Sequence, residues 1–385
     1  MCPMKSLGAT AADILVLGEH PSTYFAAAML RARPSLVVVH ATIPGGAART
    51  WDDQLVLLNP DFFQLHPLLA PLARKVAMTR IYGLRFLGDS EQNQSQHRAK
   101  SAMGMIARHG DVRDALARLA EQSGAVLHKP ANLHIAHIDP TGLHVVMDGQ
   151  TVRARALILG ESLPATDARM LRLDEPWERE VMHRCFVAPL AGDFKIDPGP
   201  RPVIPMSLDL QHMLHWGWLL QHGDVAQISV IQPHRDPLPA TPKAPLEDWL
   251  QLLRLHGVVE AGARLDEAQV KSFDLPLAGA LEHEGVANRT LLIGPAGGFY
   301  SASGQDIYPN CWSAVFAVDV LRRALRETHL QDALDAYRHN WRTTLGNYLR
   351  GPQQNLRFLL PLIYRNQNLT SRMAESILLG KSVVR

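Results

Sequence analysis

One stretch near the start constrains the fold more than any other. Ala12 to Gly18 reads ADILVLG, an apolar run that stops on glycine. EHPSTYFAAAMLRAR follows with helix composition, and Ser35 to His40, SLVVVH, is a second apolar run rich in β-branched residues. Runs this short are strand-sized, and their continuous rather than alternating apolar character marks strands buried on both faces. Strand, tight turn, helix and strand predict a βαβ unit in a parallel sheet. Another such run, RTLLIG (Arg289 to Gly294), returns late in the chain, leads into a glycine-rich turn, and is followed by a helix from about Ile307 to Glu327.

Between these ends the patterns change. Asp111 to Gly124 reads as an amphipathic helix with a glycine stop. Ala125 to Gly160 reads as several strands, with turns at Pro140 to Gly142 and at Asp148-Gly149. Met213 to Gln232 reads as a hairpin turning at His222-Gly223-Asp224. A loop with five prolines (Gln232 to Pro245) precedes a helix, and 330–385 is helical in composition. The first α/β domain is therefore discontinuous, and the interruptions supply an antiparallel sheet.

Composition excludes more than it selects. Hydrophobic residues make up 46%, charged residues 20%, and the formal net charge is +2. No basic cluster exceeds pairs such as Arg322 and Arg323, so nucleic acid is not expected as a partner. Cys2, Cys185 and Cys311 are far apart and form no CxxC, which fits reduced thiols in a cytoplasmic protein. No apolar run reaches about 18 residues, the length that spans a bilayer, and the N-terminus lacks the core of a signal peptide. The 18 histidines, including the pairs His134/His137 and His212/His215, show no HExxH and no carboxylate at ligand spacing. No metal is expected.

Two turns are candidate sites. In Gly18-Glu19-His20-Pro21-Ser22-Thr23 the first glycine of a GxGxxG turn is present, and Pro21 suits a helix opening. His20 and Thr23 replace the other two glycines. The second turn carries Gly294, Gly297, Gly298 and Gly304. It resembles the GDAAG-loop-GxGI-helix segment that closes the FAD domain of geranylgeranyl reductases and para-hydroxybenzoate hydroxylase-like enzymes. Four further segments fall in that family's order. Arg108 with its following helix resembles R-x-x-F-D, and ARALILGES resembles A-R-x-V-I-G-A-D-G. HWGWLLQHGDVAQISV resembles Y-x-W-x-F-P-K-G-D-x-x-x-V-G, and DAYRHNWRTTLGNYLR resembles Y-x-x-x-W-x-x-x-L-G.

The resemblance implies an α/β fold: a Rossmann-like FAD-binding domain with a parallel sheet (1–60, 100–165, 285–326), an antiparallel-sheet substrate domain (61–99, 166–284) and C-terminal helices (327–385). It implies FAD held by Gly18, Pro21, Ser22, Arg108, Gly294, Gly297, Gly298 and Gly304. Trp216 and Trp218 would wall the pocket of an apolar, isoprenoid or aromatic substrate, and Tyr300 would give a proton. Reduced flavin would then deliver hydride, or flavin with O₂ would hydroxylate. Three positions depart from the family. His40 stands for the ribose-binding acid, Pro295 for the GD aspartate, and Asp306 for the last glycine of GxGI. The alternative is a non-catalytic or non-flavin member binding a hydrophobic ligand or a partner. Flavin-dependent halogenation, with Lys75 as the nominal lysine, is a weaker alternative. Tight turns for the glycines, a surface ion pair for Arg108 and core packing for the tryptophans are the plain readings. The apolar stretches LRFLLPLIYRNQNL and AESILLGKSVV suit packing on the FAD domain or a peripheral membrane contact.

Overall fold

The computed structural model describes residues 11–32, 35–44, 53–208, 214–234, 241–350, 359–381 and 383. Cys2, His212, residues 235–240 of the proline-rich loop, and residues 356–358 lie outside them.

The opening unit forms as its pattern predicts. Strand β1 (Ala11–Leu17) runs into helix α1 (Pro21–Arg31) and then β2 (Val38–Ala41), parallel to β1 with Val16 beside His40. Four short strands follow: β3 (Leu55–Leu58), β4 (Thr79–Ile81), β5 (Gly83–Leu87) and β6 (Gln94–Arg98). Next come β7 (Gly104–Arg108), α2 (His109–Gln122) and β8 (Val126–His128), then the meander β9 (Leu133–Asp139), β10 (Gly142–Met147) and β11 (Gln150–Leu159). After α3 (Ala165–Met170) come β12 (Met182–Ala191), β13 (Val203–Leu208), β14 (Leu214–His222) and β15 (Val225–Pro233). Helix α4 (Ala244–Leu255), β16 (Arg264–Leu265), β17 (Lys271–Pro276), β18 (Val286–Ala287), β19 (Thr290–Leu292) and α5 (Ile307–Ala324) follow. Helices at Leu330–Leu334, Ala336–Arg342, Leu345–Arg350 and Gln367–Leu379 close the described chain.

Three sheets result. The first has the order β18-β19-β11-β1-β2-β8, and its β19, β11, β1, β2 and β8 are parallel neighbours. Ile14 and Val16 pack under α1 and α5, while Leu15 and Leu17 pack with residues of β9 and β10. Both faces are thus covered, which is why β1 and β2 show no polar alternation. The second sheet, β16-β12-β15-β14-β13-β5-β6, is antiparallel apart from β13 beside β5. Its hairpin turns at Gly223, whose φ of 58° suits glycine. A small third sheet, β3-β7-β4, packs against β14 of the second sheet and against α2 and α5.

The last helix sits between the two domains. Met373, Ala374, Ile377 and Leu378 are buried with Trp216, Trp218 and Tyr300 in the core of the antiparallel sheet. They also meet the parallel-sheet domain, where Gln305 and Asn59 donate to the Ile377 and Leu378 carbonyls, and their apolar face is inside the molecule. The second sheet is buried on one side by α4 and needs a lid on the other, which this helix supplies. No helix among the described residues is long and apolar enough to cross a membrane.

Candidate functional site

The turn after β1 is closed by its own side chains. Gly18 has φ 128°, a conformation that favours glycine. His20 then caps α1: its Nδ1 accepts the Ser22 N–H at 3.1 Å and lies 2.8 Å from Ser22 Oγ. Thr23 donates its hydroxyl proton to the carbonyls of His20 at 2.7 Å and Gly18 at 3.0 Å. His40 Nε2 donates to the same Gly18 carbonyl at 2.8 Å. Burial pushes the His40 pKa down to about 4, so the ring is a neutral donor. The three residues that replace expected glycines and the expected acid therefore serve the turn itself.

Pro21 and Ser22 sit at the start of α1 as expected, but both are buried. The third-glycine position matters most for space. A Cβ on Gly160 would lie 2.1 Å from the Thr23 methyl group, and one on Gly18 3.2 Å from it. Thr23 plugs the gap between the ends of β1 and β11.

The second turn is closed in the same way. Gly294, Gly298 and Gly304 have φ of 56°, 66° and 80°. A Cβ on Gly294 would meet Ser22 Oγ at 2.6 Å, and one on Gly298 would meet the Trp177 ring at 2.7 Å. Cβ atoms on Gly297 and Gly304 would meet Phe299 and Ile231. Close packing thus crowds Gly294, Gly297 and Gly298, and positive φ favours glycine at 294, 298 and 304. Pro295 lies within the short 3₁₀ turn Gly294–Gly297. Asp306 caps α5, its Oδ1 accepting the Ile307 N–H at 2.6 Å. Burial raises its pKa to about 6.

Three helix starts meet between these turns. His20 opens α1, His109 opens α2 and Asp306 opens α5, and all three are buried. One ligand atom from each lies within 4.8 Å of the others. The His20 and His109 ring centroids are 5.9 Å apart. Burial, and then the neighbouring His109, hold the His20 pKa well below its ordinary value. Asn310, one turn into α5, places its amide nitrogen 3.5 Å from His20 Nε2, and its oxygen is buried with no hydrogen-bond partner. No sequence motif reveals this set, because the three residues are far apart in the chain and match no local spacing. Arg108, the residue the resemblance singled out, points outward to Asp53 at 3.6 Å with its side chain 40% exposed. Its neighbour His109 takes the inward place.

A cavity of about 60 Å³ lies beside this cluster, lined by Cys185, Trp218, Tyr300, Gln305 and Asp306 among others. A buried water needs about 10–15 Å³ of such volume, so there is room for a few waters. Trp218 donates its Nε1–H to the Ser303 carbonyl at 3.3 Å. Trp216 does not line the cavity: it is packed in the core with its ring edge-on to His183. Lys75 is exposed at the end of a 3₁₀ helix and is not among the lining residues.

No protein-family model and no curated protein sequence matches the chain. Solved structures do. A geranylgeranyl bacteriochlorophyll reductase-like protein from Thermoplasma acidophilum has a TM-score of 0.68 at 16% identity, covering 97% of this chain and 96% of that one. The halogenase PltM, in complex with phloroglucinol and FAD, has a TM-score of 0.70 at 13% identity, covering 94% and 79%. The flavin-dependent brominase Bmp2 has a TM-score of 0.63 at 15% identity, covering 96% and 94%. The architecture is that of the FAD-dependent oxidoreductase fold.

Proposed function

We propose that this chain keeps the flavoprotein architecture without holding FAD between its two glycine turns, and acts as a non-flavin, ligand- or partner-binding member of the fold. The observation that carries this reading is that both helix starts facing the cleft are capped from within, α1 by His20 and α5 by Asp306. A pyrophosphate at a helix start needs free N–H groups and a favourable field. Here the Ser22 and Ile307 N–H groups are taken, and a carboxylate stands where negative charge would arrive. The groups that meet there are two imidazoles and one carboxylate. Both caps and the carboxylate argue against FAD at these turns. The test is an absorbance spectrum of freshly purified protein followed by an FAD titration. A colourless protein with no saturable uptake is expected. Flavin bands, or micromolar binding, would sink the reading.

A second reading is favoured by the likeness along nearly the whole chain to a reductase-like protein and to an FAD-bound halogenase. It is an FAD-dependent oxidoreductase acting on an apolar small molecule. His20 and Asp306 would have to turn out of the cleft. Gly18, Pro21, Ser22, Gly294, Gly297, Gly298 and Gly304 would then border the cofactor, with Trp218 and Tyr300 on the substrate side. The same spectrum decides between the two.

A further inference from the structure

We infer that His20, His109 and Asp306 form a buried binding site for one divalent first-row transition ion of the zinc class. The inference rests on the reading that the cleft is closed to FAD, because both occupants would use the same space.

The donor chemistry is that of a metal centre. Two imidazole nitrogens and one carboxylate oxygen are a common three-ligand set for zinc, with a fourth position left to water. Their net charge of −1 is offset by a divalent ion. The geometry is close to what is needed: the three ligand atoms lie within 4.8 Å of one another. Tetrahedral ligands at ordinary zinc distances sit about 3.3 Å apart, so modest side-chain rotations close the site. Each ligand sits on the first residue or cap of a helix, and that fixes its backbone.

Two independent features support it. Asn310 Oδ1 is buried and partnerless beside His20, a costly arrangement without an acceptor role to fill. An ion or its water supplies that partner. His20 also has the outer hydrogen bond that ligating histidines use. With the ion on Nε2, Nδ1 carries the ring proton, gives up the Ser22 N–H that it accepts in the ion-free chain and donates to Ser22 Oγ, 2.8 Å away. Asp306 lines the cavity, which gives an ion a route in. A second histidine-carboxylate set, His137, Asp139 and His144, is more exposed, and its aspartate already accepts from Thr141 and Gly142. It serves as the control.

The experiment uses the full chain, purified without a metal-binding tag and stripped by chelator. Cobalt(II) and zinc(II) are titrated in, with bound metal counted and the cobalt ligand-field bands recorded. One equivalent is expected, with a rise in melting temperature as free zinc increases. Asp306→Asn retains a good helix cap, and His109→Gln retains a polar side chain. Each should weaken binding by more than about 100-fold, since even groups that only support a ligand cost about 10- to 100-fold when removed. His144→Ala should leave it unchanged. No saturable uptake and no thermal shift in the unmodified chain overturns the inference, whatever the variants do. So does binding lost with His144→Ala and kept with Asp306→Asn. An FAD titration on the same sample separates the two readings. Uptake of FAD without metal defeats both, and uptake of neither defeats this inference alone.

Discussion

His40 shows how one substitution can change a role without disturbing a fold. The end of β2 is where the resemblance expects an acid, and an acid facing the Gly18 carbonyl would have nothing to accept. An imidazole N–H donates to it instead, at 2.8 Å. The cost is pH sensitivity. Burial holds the folded pKa at about 4, and His128 works in the same direction. An unfolded histidine titrates near 6.5. The neutral ring's contribution is therefore complete above about pH 6.5 and is lost as pH falls toward 4, amounting to about 3 kcal/mol. We expect His40→Gln to be less stable than the unmodified chain at pH 7, by about 1–2 kcal/mol for the altered buried contacts. Its stability should fall about 3 kcal/mol less between pH 7 and pH 4. Urea unfolding at the two pH values reads this directly. Equal acid losses in both proteins would mean that His40 is not the titrating group.

At the scale of elements, the seam between β1, α1 and β11 carries the argument. Gly160 directly follows β11, and its missing Cβ makes room for the Thr23 methyl group. Gly160→Ala should cost about 2 kcal/mol or more, because a 2.1 Å approach forces a shift in a packed core. Thr23→Ser removes that methyl and keeps the hydroxyl that bonds Gly18 and His20. The next contact of the new Cβ would then be the Leu17 carbonyl at an ordinary 3.5 Å. In the Thr23→Ser background the alanine should therefore cost less than half as much, and a double-mutant cycle in denaturant measures the difference. Additive losses would show that the methyl is not what the glycine accommodates. The same seam shows what a sequence reveals. The strands and α1 were legible because apolar runs, a glycine stop and Pro21 are local signals. The hairpin was legible from His222-Gly223-Asp224. What the glycines are for was not legible. Gly298 reads as a phosphate turn, yet Trp177, far away in the chain, is what crowds it. Arg108 drew attention by motif, yet it points outward and its neighbour His109 is the buried one. The last helix was apolar in sequence, but only the assembled second sheet shows which core it covers.

For the whole molecule, the fold aims the starts of α1 and α5 at one cleft, and the question is what the cleft admits. On the reading proposed above, two caps close the cleft, which makes the closure reversible by substitution. His20→Gly and Asp306→Gly restore the glycine of GxGxxG and that of GxGI together. Replacing a capping side chain with glycine costs only a few tenths of a kcal/mol per helix, so the double variant should still fold. It would also release the Ser22 and Ile307 N–H groups and remove the carboxylate. We expect the unmodified chain and each single variant to take up no FAD, and the double variant to bind it in the micromolar range. The affinity should stay modest because Thr23, His40 and Pro295 remain. Flavin fluorescence quenching on titration measures this. Binding by the unmodified chain would show that the caps swing aside unaided, and the cleft would then belong to flavin chemistry. No binding by the double variant, with its fold verified by circular dichroism, would place the block on the β1–β11 seam. Thr23→Gly would be the next substitution to open it.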